Sequence, residues 1–200
     1  MSSDDNGPLY TGDPAEFMHH TELPDTAISR SVDRILDVIG SVTSWLWIAC
    51  MAVILTSVIA RYVFGQGSIM LEEIQWHIYG MAWLIGLSYT MISDNHVRVD
   101  VLHERFSLRT QTWIELLGLL LLLLPFLVIF LLDAVPYFVA SYEVNERALA
   151  PDGLPARWAL KFFLPLAIVL LMLAAVSRLL KCTALLFGKP SPIRVTKSDG

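Results

Sequence analysis

Long apolar runs alternate with short polar connections along most of the chain. The first run extends from Val38 to Ala60 without a charged residue, and three further apolar runs follow it. A helix needs about 20 mostly apolar residues to cross the hydrocarbon core of a bilayer. The pattern therefore predicts four transmembrane helices, at about residues 38–60, 74–93, 114–141 and 160–179.

Helices are the element that this pattern favours. In lipid, an open sheet would leave backbone N–H and C=O groups without partners, and the Leu-rich third run lacks the alternation of a barrel strand. Charged residues make up only 16% of the chain and hydrophobic residues 55%, whereas soluble domains contain about 25% charged residues. We therefore expect an all-α membrane protein with four spans and short loops, rather than a soluble bundle of buried helices.

Polar segments flank the apolar region at both ends. Residues 1–30 are rich in Asp, Gly and Pro, and such a composition buries too little surface to offset the entropy of ordering. We expect a flexible tail there, a membrane domain over residues 31–181, and a second tail over residues 182–200. A short amphipathic sequence, with Ser31 as its expected N-cap, leads into the first span. It either lies along the membrane surface or forms the base of the first span.

Basic residues predict the orientation of the chain, because Lys and Arg near the ends of spans stay on the cytoplasmic side. Ten of the 14 basic residues flank the start of the first span, the end of the fourth, or the connection between the second and third. The other four are Arg61, Arg147, Arg157 and Lys161. Both termini are therefore expected to be cytoplasmic, and the other two loops to lie outside.

The second span begins with two acidic residues and continues with aromatic ones. A stripe of residues at spacings of four, three and four lies on one helix face: Glu72, Trp76, Tyr79 and Trp83. The acidic pair, Glu72 and Glu73, is explained either by favourable charge at a helix N-terminus or by contact with a partner subunit. Acid, indole and phenol on one stripe are unusual for a lipid-facing surface, although aromatic residues near a membrane interface are common.

Ionisable groups inside the predicted spans are few. His77 is the only histidine within a span, and Asp133 lies far along the third, where it marks an ion site or simply reaches water at the outer end. Pro125 and Pro136 predict a bent third helix. The sequence contains no Walker A motif and no Cys/His cluster, so we predict no enzyme activity, cofactor, metal site or nucleic-acid partner.

The connection between the second and third spans reads SDNHVRVDVLHER. If it is extended, His96, Arg98 and Asp100 face one way and the intervening valines face the other. One interpretation is an anchor in which Arg98 fixes the orientation. The other is that Arg98 and Asp100 form ion pairs that hold the connection against neighbouring helices.

Several of these features occur together in one known family. The chain has Arg-Tyr at the end of the first span, an acidic start to the second, HVRVDV, and later GLPARWALK before a proline-containing fourth span. This order resembles the small membrane subunit (DctQ-like) of tripartite ATP-independent periplasmic (TRAP) transporters, over about residues 28–181. The fourth span departs from the family pattern, because it lacks the Gln often found near Ala174 or Ala175.

The resemblance implies a multi-pass subunit of the bacterial inner membrane. Such subunits brace a large membrane subunit, which carries solute and sodium in symport, and help to dock a periplasmic solute-binding protein that delivers an organic acid. The loop from Ser141 to Trp158 is then a docking surface, or otherwise a solvated connector. The candidate partner contacts are Arg61, Glu72, Glu73, Trp76, Tyr79, Trp83, His96, Arg98, Asp100, Glu143, Glu146, Asp152 and Arg157. Membrane lipid is the remaining partner.

Two other functions compete with this interpretation. A haem-bearing anchor of a periplasmic oxidoreductase would need two well-placed histidines within the spans, and only His77 is available. A self-contained four-helix exporter would transport a solute without any partner.

Overall fold

The computed structural model describes residues 24–93, 108–148, 150 and 153–188, and that part of the chain forms helices and connections without a strand. The helices are α1 (Ala27–Tyr62), α2 (Ile69–Ile92), α3 (Leu108–Leu117), α4 (Leu124–Glu143) and α5 (Trp158–Phe187). A π-helical segment, Gly118–Leu123, joins α3 directly to α4. These three pieces are called the third rod below.

Successive rods run antiparallel, so the bundle has two distinct ends. At the terminal end, the start of α1 meets the end of α5, where Ser177 Oγ lies 2.6 Å from an Asp33 carboxylate oxygen. At the hairpin end, Arg61 of α1 pairs with Glu72 of α2, and the α4–α5 loop contacts α2. Helix α5 contacts every other helix and therefore forms the centre of the bundle.

Three rods are long and apolar enough to cross a membrane: α1, the third rod from Arg109 to Glu143, and α5. Helix α2 has 24 residues, which is sufficient length for a span, but it carries polar residues such as Gln75 and His77. The predicted all-helical fold is confirmed for the described residues. Of the four predicted spans, three coincide with membrane-capable helices, and the second stays a prediction.

Helix α1 begins earlier than the sequence suggested. Thr26 is its N-cap: the Thr26 side chain accepts a hydrogen bond from the Ser29 N–H at 3.2 Å, and the Ser29 side chain accepts one from the Thr26 N–H at 2.9 Å. This reciprocal pair is a capping box. The prediction of Ser31 as N-cap is therefore wrong, since Ser31 Oγ donates to the Ala27 carbonyl at 3.1 Å inside the helix. The amphipathic lead-in is continuous with the first predicted span, and α5 likewise continues to Phe187.

The third rod is irregular where its first proline lies. Pro125 has no N–H to donate back along the helix. Just before it, the Leu124 N–H donates to the Leu119 carbonyl, five residues back, which is the hydrogen-bond pattern of a π-helix. The sequence predicted a bend from Pro125 and Pro136, and the structure shows a widened turn before Pro125, with Pro136 accommodated inside α4.

The main core lies where α1, α2 and α5 meet. Ala174 and Ala175 of α5 are completely buried there, in one cluster with Leu36 of α1 and Ile85 of α2. Small side chains allow membrane helices to approach closely. A Gln amide at either alanine would be buried among apolar groups and would need a hydrogen-bond partner. The departure from the family pattern therefore lies in an apolar core.

Two glycines hold α2 close to its neighbours. A Cβ atom on Gly40 would lie 2.3 Å from Cδ2 of Tyr89, and one on Gly80 would lie 3.0 Å from Cδ1 of Leu160. Helix α2 is thus packed tightly against α1 near the terminal end and against α5 near the hairpin end. This packing brings the first turn of α2 beside the α4–α5 loop.

Candidate partner-binding surface

The α4–α5 loop is anchored by Glu146. Its Oε2 accepts hydrogen bonds from Lys161 Nζ and Ser141 Oγ, both at 2.5 Å, and Arg157 Nε lies 3.9 Å from Oε1. The hydrogen bond from Lys161, followed by that from Ser141, holds the pKa of the Glu146 carboxyl below its usual value. The anchor is therefore fully formed above the ordinary carboxyl pKa, and it weakens as the pH falls through the lowered pKa.

Glu73 joins the same loop to α2. Its Oε2 accepts a hydrogen bond from the Leu154 backbone N–H at 2.5 Å. Gly153 leaves the room for this contact, because a Cβ atom there would lie 3.0 Å from both carboxylate oxygens of Glu73 and 2.4 Å from Cβ of Ala148. The Gly-Leu of the GLP motif thus supplies both the space and the N–H group for a carboxylate of another helix.

Backbone hydrogen bonds also close the loop on itself. The Ala148 N–H donates to the Leu154 carbonyl at 3.2 Å, and the Arg157 N–H donates to the Glu146 carbonyl at 3.0 Å. Ala156 has a left-handed φ of 71°, which is unfavourable for a residue with a Cβ and persists only where surrounding contacts enforce it. These contacts hold residues 146–148 and 154–157 of the loop in a defined shape at the hairpin end.

The Arg61–Glu72 ion pair bridges the end of α1 and the start of α2. The two side chains are 51% and 44% exposed, and they line a cavity of about 360 Å³ whose wall includes Trp76. Exposed ion pairs of this kind contribute about 1 kcal/mol or less to stability. Because about half of each side chain is exposed, both charges remain accessible at the surface.

Helix α2 carries an aromatic face, defined here as Trp76, Tyr79 and Trp83. Trp76 is 65% exposed and Trp83 53%, and the Tyr79 ring meets Trp47 of α1 edge-on at 5.6 Å between centroids. Towards the terminal end, Trp83 and Trp47 line a groove of about 630 Å³ between α1 and α2. The structure thus places the predicted aromatic stripe on one exposed face, and its contact with a partner stays a prediction.

A charged network at the terminal end was missed by the sequence analysis. Lys181 Nζ lies 2.7 Å from an Asp33 oxygen and 3.0 Å from an Asp25 oxygen, and Ser177 Oγ donates to Asp33 at 2.6 Å. The sequence interpretation treated these charges separately, as a polar helix face and as orientation signals. The available signal was the spacing of Ser177 and Lys181, four residues apart on one helix face.

A separate ion pair at this end joins α3 to α5. Arg178 Nε donates to a carboxylate oxygen of Glu115, and the side chains are only 11% and 15% exposed. When two charges are largely removed from water in this way, loss of either one leaves the other poorly compensated, which destabilises the fold. The pair therefore fastens the beginning of the third rod to the centre of the bundle.

Comparison with protein families identifies the chain. The family model for the DctQ component of tripartite ATP-independent periplasmic transporters matches residues 50–185, well over half of the sequence. The chain belongs to the DctQ family. The matched region contains the Arg61–Glu72 pair, the aromatic face and the whole α4–α5 loop. No curated protein and no solved structure matched the chain.

The candidate partner contacts predicted from the sequence fall into three groups by their surroundings in the structure. Outward-facing or partly exposed positions are Arg61, Glu72, Trp76, Tyr79, Trp83 and Glu143. Residues that bond within the chain at the hairpin end are Glu73, Glu146 and Arg157. Residues that lie outside the described part are His96, Arg98, Asp100 and Asp152. The loop carboxylates thus separate into internal and external ones, which the sequence did not distinguish.

DctQ proteins are components of transporters and not an enzyme family. Among residues 24–93, 108–148, 150 and 153–188, no group of three or more His, Cys, Asp or Glu side chains is arranged to hold a metal ion. His77 Nδ1 lies 2.7 Å from the carbonyl oxygen of Glu73, within its own helix. Asp133 is exposed on α4. The family membership favours the transporter interpretation over the haem-bearing anchor.

Proposed function

We propose that this chain is the small permease subunit of a TRAP-type secondary transporter of the bacterial inner membrane. In this role it braces the large membrane subunit and helps a periplasmic binding protein to dock. The observation that carries the proposal is the aromatic face of α2, on which two tryptophans are more than half exposed. The nearby carboxylates of Glu73 and Glu146, in contrast, bond within the chain. Exposed aromatic anchors are typical of protein interfaces.

Family membership supports the assignment of transport itself to the large subunit. In that scheme the large subunit couples sodium to the uptake of an organic acid, and this chain contributes stability and placement in the bilayer. The long, apolar rods of the described region fit a brace. They pack through Ala174 and Ala175 and around Gly40 and Gly80, which makes a close bundle rather than a solute pathway.

We assign the terminal end to the cytoplasm and the hairpin end to the periplasm. Arg30, Arg34, Arg178 and Lys181 lie at the terminal end, and the distribution of basic residues favours this orientation. A fusion of alkaline phosphatase after Gly200 should be inactive, whereas a fusion within residues 145–153 should be active. The reverse pattern of activity would overturn the orientation.

The α4–α5 loop is then the docking surface for the binding protein. Because Glu146 is engaged by Lys161 and Ser141, docking charge is assigned to its exposed neighbours Glu143 and Arg147. Exposed charges of this kind raise the rate of encounter more than the affinity, and salt screens them.

Reconstitution tests the proposed function. Proteoliposomes that contain the large subunit and this chain should show sodium-dependent uptake of the organic acid carried by the binding protein. Omission of this chain should reduce uptake to the background of empty liposomes, because the large subunit then lacks its brace. Uptake at the full rate without this chain would refute the proposal, and uptake by this chain alone would favour the exporter instead.

A further inference from the structure

We infer that Glu73 is a positioning residue, whose carboxylate latches the α4–α5 loop to α2 in the shape that the binding protein recognises. This inference rests on the proposed docking function, which it deepens by naming the contact that sets the loop shape. The sequence left two explanations for Glu73, which were favourable charge at a helix N-terminus and direct contact with a partner. The structure instead directs its carboxylate at the Leu154 N–H of its own chain, 81 residues away.

Both the α4–α5 loop and helix α2 contribute to the latch. On the loop side, Gly153 has no side chain, and a Cβ atom there would approach both Glu73 oxygens to 3.0 Å. On the helix side, Glu73 lies in the first turns of α2, and Gly80 allows α2 to pack against Leu160 of α5. Carboxylate, N–H group and missing side chain are therefore all needed for one contact.

The latch complements the Glu146 anchor. Glu146 fixes the loop to α5 through Lys161 and to α4 through Ser141, whereas Glu73 provides a bond from the loop to α2. The same helix carries the aromatic face proposed to contact the large subunit. Through this bond, the orientation of the docking loop is set relative to the helix that holds the large subunit.

The chemistry of the contact distinguishes a latch from a direct charge contact. A carboxylate that accepts from a backbone N–H makes a charge-assisted hydrogen bond, about twice as strong as a neutral one. In Glu73→Gln the side-chain carbonyl remains an acceptor although the charge is lost. In Glu73→Ala the acceptor itself is lost. A latch therefore predicts a graded series, with Gln milder than Ala, whereas a direct charge contact predicts equal effects.

The first measurement is amide hydrogen exchange at Leu154 in the complex of this chain with the large subunit. Leu154 should be protected in the wild type, partly protected in Glu73→Gln and unprotected in Glu73→Ala. Glu72→Ala is the matched control, because it removes the neighbouring carboxylate, which pairs with Arg61 and not with the loop. Unchanged protection of Leu154 in Glu73→Ala would overturn the latch.

The second measurement is the concentration of binding protein that gives half-maximal uptake in proteoliposomes. Glu73→Ala should raise it about 10- to 100-fold, the effect of losing one hydrogen bond to a charged group, while the maximal rate and co-purification with the large subunit are retained. Gly153→Ala should act in the same direction although it keeps the charge of Glu73.

The outcomes separate this inference from the proposed function. If Leu154 loses protection but the half-maximal concentration stays the same, the latch does not serve docking and the inference fails, while the requirement for the chain in uptake is untouched. An equal rise in Glu73→Gln would also overturn it, in favour of a general charge effect. If uptake proceeds without this chain, the proposed function fails, whatever the exchange data show.

Discussion

Replacement of Arg178 by Met should lower the free energy of unfolding by about 3–5 kcal/mol, the cost of breaking a buried ion pair from one side. Arg178 and Glu115 are both largely buried where α5 meets α3. Without the guanidinium, the Glu115 carboxylate would lose its contact with Arg178 in a site where water replaces it poorly. Denaturant unfolding of the purified chain in detergent, followed by tryptophan fluorescence, measures the change.

Arg30→Met is the matched control for this prediction. Arg30 pairs with Asp25 at 3.9 Å, and both side chains are nearly half exposed, so its loss should cost about 1 kcal/mol or less. The double variant Arg178→Met, Glu115→Leu should recover much of the lost stability, because both members of the buried pair are then replaced by apolar side chains. A cost for Arg178→Met no larger than that for Arg30→Met would contradict the structural role of the buried pair.

The double variant Trp76→Ala, Trp83→Ala should abolish co-purification with the large subunit. Tryptophans that act as interface anchors each contribute about 2 kcal/mol or more, so the loss of two should weaken the association about a thousandfold. The fold of the chain itself should be retained, since both side chains are more than half exposed. The measurement is the amount of large subunit retained on the tagged chain, compared with the wild type.

Phe126→Ala, Phe130→Ala provides the control for the aromatic face. These stacked rings lie on α4, with 5.8 Å between their centroids, and they are exposed on a rod that packs mainly against α5. Loss of two aromatic rings there should leave the complex intact. If this variant dissociates the subunits and the tryptophan variant does not, the brace contacts the large subunit through α4 instead.

The sequence predicted the helices well because long apolar runs in lipid leave the backbone few alternatives. The predicted N-cap of α1 was Ser31, whereas the structure has Thr26. Both residues precede helical sequence, and either hydroxyl is a suitable cap. The sequence did not predict that the residues before Pro125 form a π-helical turn. Pro125 indicated a distortion there, but the choice between a kink and a widened turn depends on packing against the neighbouring helix.

The candidate site was only partly predictable. Glu72 and Glu73 are adjacent in the sequence and equally acidic, yet one pairs at the surface and the other bonds to the α4–α5 loop. Adjacent residues of a helix point about 100° apart, and the sequence does not show which of the two carboxylates faces Leu154. The same limit applies to Lys181 and Asp33, which are far apart in sequence and meet only because α1 and α5 pack side by side.

The length of α1 has a consequence for how the protein sits in its membrane. Its 36 residues extend about 54 Å, against about 30 Å of hydrocarbon. Even at a tilt of about 40°, the upper end of the usual range, the bilayer would enclose only about 26 of them. About ten residues must therefore project beyond the hydrocarbon. We expect the early turns of α1, where Lys181 of α5 pairs with Asp33, to be the part that projects, so that this charged end lies at headgroup level, beside lipid phosphates rather than acyl chains.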